Sequence, residues 1–225
     1  MKRYFAINTA VIWMKAWLAY IKRVRFSNFL VIHDGDASMF KTLITSAVLG
    51  LSVGAFSLAN ANNVTHLGGD ITEEQVLAAQ QAWGEALVNI ANTYENDGIE
   101  AASELAQSVI ESAYGYDMGP VLFKPTLAAA PQTFRTTPEG ALAYFVGHSD
   151  EFPSDSGFAL KGWQEVTIDN AAIFISGDTA MTMGNVSILD SEGNTTMVDK
   201  TWGYQLDDEG ELRIVLHHSS LPFTE

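Results

Sequence analysis

The segment Leu212-Arg213-Ile214-Val215-Leu216-His217-His218-Ser219-Ser220 gathers the residues best suited to proton chemistry. If it is a strand, alternation puts Arg213, Val215, His217 and Ser219 on one face and Ile214, Leu216, His218 and Ser220 on the other. The first face then ends in a cation, an imidazole and a hydroxyl, and the spacing of His217 and Ser219 suits a hydrogen-bonded couple. The same spacing also suits a strand end whose His and Ser satisfy nearby backbone groups. The other histidines of the C-terminal part, His66 and His148, stand alone, with no H-x-H or H-x-x-x-H spacing. A zinc site needs three converging ligands, so a histidine-rich metal centre is not expected. No D-x-D-x-D loop marks a calcium-type site either.

Those residues need a scaffold, and the chain supplies its outline. Thr72-Glu73-Glu74-Gln75 is a capping box, followed by Val76, Ala79, Trp83, Leu87, Ile90 and Tyr94 at helical spacing. Asn96-Asp97-Gly98 ends that helix, and a second runs from Ile99 to about Ser112, with Ile99, Ala102, Leu105, Val109 and Ala113 on one side. Val121-Leu122-Phe123 reads as a short strand. Thr137-Pro138 opens a third helix, which carries Ala141, Tyr144 and Phe145 and ends at Gly147. From Gly157 onward the spacing predicts strands over 158–168, 171–175, 179–189, 196–206 and 212–219, separated by turn residues such as Asp190-Ser191-Glu192-Gly193-Asn194. Helices followed by strands predict an α+β domain, with N-terminal helices packed on a curved antiparallel sheet. That order resembles the nuclear-transport-factor-2-like cone, also used by the association domain of calmodulin-dependent kinase II.

Composition narrows the function. The 225 residues hold 12 Lys+Arg against 27 Asp+Glu, which argues against a nucleic-acid partner, since phosphate binding needs a cationic surface. The absence of cysteine excludes disulfides, thiolate metal sites and cysteine nucleophiles. Seven of the bases (Lys2, Arg3, Lys15, Lys22, Arg23, Arg25, Lys41) lie before residue 62, with only Asp34 and Asp36 as acids. Met39-Phe40-Lys41, the apolar run Leu43–Leu58 and Ala59-Asn60-Ala61 have the three parts of a secretory signal peptide, with cleavage expected after Ala61. Residues 1–38 read as an upstream extension of the frame or as an amphipathic membrane anchor. The organisation expected is thus a leader over 1–38, a signal peptide over 39–61 and one domain over 62–225, exported to a periplasm or the exterior without stable membrane insertion.

Six blocks in order carry a closer resemblance: Lys124-Pro125-Thr126, Thr133-Phe134-Arg135, Gly140-Ala141-Leu142-Ala143-Tyr144-Phe145, Phe158-Ala159-Leu160-Lys161-Gly162-Trp163, Asp199-Lys200-Thr201-Trp202-Gly203 and His217-His218-Ser219-Ser220. Over residues 71–223 the chain resembles the iota-class carbonic anhydrases, some described as metal-dependent and others as metal-free. The resemblance implies CO2 and bicarbonate as substrates, and Thr126, Tyr144, His217 and Ser219 as the catalytic set. In the metal-free picture the three hydroxyls hold bicarbonate or the attacking water. No cofactor is expected, Zn2+ or Mn2+ being the alternative. Hydration of CO2 needs donors for the charge growing on oxygen and an acceptor for the water's proton, for which His217 is the candidate. Lys124, Arg135, Lys161, Lys200 and Arg213, the only bases after residue 61, are candidates for retaining the anion. A homodimer is expected, with Ile214 and Leu216 forming an outward patch that needs covering. A different class of reading is a non-catalytic module of the same fold, binding a small ligand or serving as an oligomeric hub.

Overall fold

The computed structural model describes residues 63–224, so the expected leader over 1–38 and signal peptide over 39–61 lie outside the described residues. The order of elements is β1 (Val64–His66), α1 (Glu73–Asp97), α2 (Ile99–Ala113), β2 (Leu122–Lys124), α3 (Pro138–Val146), a 3-10 turn (Phe158–Leu160), β3 (Trp163–Ser176), β4 (Thr179–Asp190), β5 (Thr195–Leu206) and β6 (Leu212–Ser220). The class is α+β, with helices on one face of a six-stranded sheet ordered β1-β3-β4-β5-β6-β2.

Local chemistry fixes the helices. Thr72 accepts from the Gln75 N–H while the Gln75 side chain accepts from the Thr72 N–H, so the capping box forms. Gly98, at φ 85°, both closes α1 and precedes α2, a left-handed turn that a side chain would strain. Val76, Trp83, Leu87 and Ile90 are buried as the stripe predicts, whereas Tyr94 reaches the surface at the frayed end. On α2 the buried set is Ala102, Ala106 and Ile110, rotated from the side read in the sequence. Gln80, fully buried, exchanges two hydrogen bonds with Asn170 (2.9 and 2.7 Å) and donates to Thr182 (3.0 Å), which pins α1 to the sheet.

The sheet differs from expectation in three ways. Its centre, β3 to β6, is antiparallel, but both edges are parallel: β1 on β3 and β2 on β6. His66 lies on β1 and bonds the Ile71 carbonyl at 3.1 Å. The strands read at 158–168 and 171–175 are one long strand, β3, which begins only after the turn at Gly162 and is interrupted by a bulge at Asn170–Ala172. That bulge needs Gly184 opposite, where a Cβ would fall 2.1 Å from the Asp169 oxygen.

The third difference bears on the site. Register along β5–β6 shifts between Gly203 and Tyr204, so that Gly203 faces Leu216 and Tyr204 faces Ile214. Leu216 crosses over Gly203, where a Cβ would meet its own at 2.9 Å. The bulge resets alternation: Ile214, His217 and Ser219 all point inward, Arg213 stays outside, and Ile214 is 2% exposed. Ile214 and Leu216 therefore do not make the outward patch expected of them. The exposed large apolar residues on the strands described are Leu122, Phe174, Met181, Met183 and Met197 instead.

Candidate functional site

Two polar clusters lie on the inner face of β6, around Ser219 and around His217. Ser219 is buried, and its hydroxyl accepts from Thr126 Oγ1 at 2.7 Å. The parallel pairing of β2 with β6 brings Thr126 there: Lys124 lies opposite His218, and Pro125 then turns the chain across the end of β6. Lys124 Nζ donates to the Ser219 carbonyl at 3.2 Å, which places a cation beside the hydroxyls. Thr126 itself is half-buried, so the pair sits at a rim. The structure thus brings Thr126 and Ser219 together.

Tyr144 reaches the same region from α3, edge-on to Phe123 with ring centroids 5.7 Å apart. Burial pushes its hydroxyl well above the ordinary phenol range, and the backbone N–H groups of Leu127 and Thr126 pull it back only in part. The phenol therefore keeps its proton at any physiological pH. Behind it, Arg135 forks onto Asp155 (2.7 and 2.8 Å from Nη2, 3.1 Å from Nε) and holds the loop that carries Thr126 against the segment after α3. Arg135 is thus committed to a carboxylate, as is Arg213 to Asp207 at 2.7 Å. Of the five bases considered for holding an anion, Lys124 is the one bonded within the hydroxyl cluster.

His217 has a different setting. Its Nδ1 meets the hydroxyl of Tyr114 at 2.8 Å, its Nε2 meets Nζ of Lys200, and the ring stacks on Phe123 at 4.2 Å. Tyr114 in turn accepts from the indole N–H of Trp83 at 3.0 Å. The backbone places Tyr114 directly: it bridges Ile214, and the Gly115 N–H donates to the Ile214 carbonyl. Of the two arrangements the strand spacing allowed, the Ser219–His217 couple is not the one present. Side chains two apart on a strand stand nearly 7 Å apart, and here each finds a partner from another element first.

Burial, then Lys200, then His218 hold His217 well below the usual imidazole range, and burial holds Lys200 well below the usual lysine range. Nζ of Lys200 lies 4.4 and 5.0 Å from the rings of Trp83 and Trp202, faces that attract an ammonium. Such attraction is worth about 2 kcal/mol when desolvated, against several kcal/mol for burying a cation with no anionic partner. The uncharged amine wins. Both ring nitrogens of His217 thus face partners inside the protein, Tyr114 and Lys200.

Sequence reasoning did not place Trp83, Tyr114 or Lys200 in this cluster. A signal existed for Lys200: it alternates inward with Val198, Trp202 and Tyr204, a lysine on an apolar strand face. Among the described residues, no group of three or more His, Asp or Glu is placed to hold a metal ion.

The arrangement sets the hydroxyls of Thr126 and Ser219, with the Tyr144 phenol near Thr126, on a cone of helices and sheet. The metal-independent carbonic anhydrase family matches residues 74–221, and the chain belongs to it. A metal-independent carbonic anhydrase from Nostoc sp. is 63% identical over 155 residues, which are 69% of this chain and 76% of that protein. A crystal structure of a cyanobacterial iota-carbonic anhydrase complexed with bicarbonate is 60% identical, covers 72% of this chain and 99% of its own, and superposes with a TM-score of 0.69. A protein from Xanthomonas campestris assigned as a calcium/calmodulin-dependent protein kinase II association domain covers 72% of this chain and 96% of its own at 19% identity and a TM-score of 0.44.

Proposed function

We infer that the protein interconverts carbon dioxide and bicarbonate, with side-chain hydroxyls doing the work that zinc performs in other carbonic anhydrases. The observation that carries the reading is the 2.7 Å bond from Thr126 to Ser219, which joins residues 93 positions apart. Because Thr126 spends its proton on Ser219, the Ser219 O–H is free to donate outward, polarised by the bond it accepts. Tyr144, kept protonated by burial, is a second donor. Attack of water on CO2 forms one C–O bond and moves a C=O pair onto oxygen, and donors already aimed at that oxygen stabilise the charge. The water's proton leaves to solvent at the half-open rim. His217 supports the site from behind. A hydroxyl cannot lower the pKa of water to about 7 as Zn2+ does, so the turnover expected is below that of the zinc enzymes.

Stopped-flow CO2 hydration by the protein after exhaustive chelation tests the reading. Full activity in the chelated sample is expected; loss that Zn2+ or Mn2+ restores would overturn the hydroxyl mechanism. We propose in addition that the protein is exported through the Met39–Ala61 segment, on the strength of its sequence pattern. The exposed Phe174, Met181, Met183 and Met197 support a homodimer built on the outer sheet face, which sedimentation would test.

A further inference from the structure

The four residues Trp83, Tyr114, His217 and Lys200 are joined by three consecutive hydrogen bonds, and donor chemistry sets their direction. An indole N–H only donates, so the Tyr114 oxygen accepts from Trp83 at 3.0 Å. Tyr114 is 1% exposed, and its own proton has one further partner, Nδ1 of His217 at 2.8 Å. If Nδ1 accepts, a neutral imidazole carries its proton on Nε2. That nitrogen faces Nζ of Lys200. An ammonium has no lone pair to receive it, whereas an amine has one.

We propose that Lys200 is a positioning residue: its amine accepts the Nε2 proton of His217 and closes a chain that runs one way from Trp83 through Tyr114 and the imidazole. The surroundings agree. Facing the ring are Tyr114 from the end of α2 and Lys200 from β5, with Tyr204 on the same inward face of β5. The elements α1 and β2 present Trp83 and Phe123, neither ionisable; the phenols of Tyr116 and of Tyr144 on α3 lie near Tyr114, and His218 points outward. No carboxylate contributes to the balance, and burial disfavours charge on both Lys200 and His217. On the opposite side of Tyr114, the cavity between α1 and α2 holds only about 10 Å³ and is apolar, so the phenol has no competing acceptor there.

The chain matters for the reaction, on the reading proposed above, because of what the imidazole carries. Phe123 stacks on it at 4.2 Å and pairs with it in register, and Thr126 follows three residues later. A ring free to rotate would tilt Phe123, and with it the Thr126 hydroxyl relative to Ser219. Misplacement by about an ångström can cost up to about a hundredfold in rate.

The tautomer can be read in the unmodified full chain. Long-range proton–nitrogen correlation spectra of protein labelled with 15N-histidine should show His217 unprotonated at Nδ1 and protonated at Nε2, unchanged between about pH 5.5 and 9, a range that spans the ordinary imidazole value. A proton on Nδ1, or a His217 signal that titrates within that range, overturns the chain whether or not the protein hydrates CO2. Kinetics then test the positioning role. Lys200→Met should lower kcat about tenfold with KM unchanged, and Lys200→Gln, whose carbonyl oxygen can accept, should recover most of it. Lys200→Arg, which keeps a charge and offers no lone pair, should not. Rescue by Arg but not Gln, or full kcat in Lys200→Met, overturns the role.

Discussion

His217 and Ser219 stand two residues apart on one face of one strand, yet they belong to regions with opposite properties. Around Ser219 the donors are few, partly wet and left with a proton to spare: Thr126 is half-buried, and Lys124 reaches in from the rim. Around His217 the polar atoms of the chain from Trp83 to Lys200 find partners inside the protein, between aromatic rings, although the Trp202 indole N–H and the Tyr204 hydroxyl nearby have none. The rim is under-satisfied and therefore able to bind. The interior chain is saturated and therefore able to hold shape. Proximity along a strand does not make a catalytic couple; the partners delivered by neighbouring elements do.

The comparison predicts that damage to the two regions is felt in different measurements. Ser219→Ala removes a donor aimed at developing charge and should lower kcat for CO2 hydration about a hundredfold, equivalent to about 2.7 kcal/mol, as in other oxyanion sites. Its cost in urea stability should stay near about 1 kcal/mol, the loss of one hydrogen bond. Tyr114→Phe has the reverse profile. It leaves the Trp83 N–H and His217 Nδ1 without partners, so stability should fall by about 2 kcal/mol or more while kcat drops much less than in Ser219→Ala. Equal kinetic losses in the two variants would dissolve the distinction between rim and interior.

How much of this could be read in the sequence depends on where each cause lies. The capping box at Thr72 and the stripe from Val76 to Ile90 are local, and they were legible. The edge strands β1 and β2 are three residues each, held by parallel pairing to distant segments, and only β2 left a trace. The inward turn of Ile214 was hidden because its cause is Gly203 on the neighbouring strand, not any residue of β6. For the site, the pattern singled out His217 and Ser219, and each is bonded to a side chain from another element. Thr126 and Tyr144 carry no signature in spacing, and the family resemblance alone pointed to them. Lys200 was read as an anion-attracting base, whereas its alternation with Val198, Trp202 and Tyr204 is the mark of a buried amine.

Protons sharpen the same contrast. Lys200 has its folded pKa below its unfolded value near 10.5, so the unfolded chain binds more protons and stability is lost as pH falls below that value. His217, also depressed, adds a second proton once pH drops below about 6.5. Between pH 7 and 9, where only the lysine contributes of these two, the unfolding free energy should rise with pH. Lys200→Met should flatten that slope, measured as urea stability across the range. A slope of the same size in the variant would mean that the amine is charged in the folded protein, and that the interior is less closed than its hydrogen bonds indicate. Ser219→Ala should leave the slope untouched, since no titrating group is altered at the rim.

The smallest effect belongs to the one cation at the rim. Lys124 donates to the Ser219 carbonyl rather than to a carboxylate, so its charge is not neutralised by an ion pair. In a chain with 27 acids and 12 bases, that charge offsets the repulsion an incoming bicarbonate meets. Lys124→Gln should raise KM for bicarbonate about threefold in the dehydration direction and leave kcat nearly unchanged, because a charge that attracts the anion without bonding the reacting oxygen acts on binding more than on the barrier. The effect should shrink as salt is raised to about 1 M, where screening acts over about 3 Å. A KM unmoved at low salt would remove Lys124 from the binding surface; a large fall in kcat would show that it positions Ser219 through the backbone instead, and would make the rim as dependent on internal support as the chain behind it.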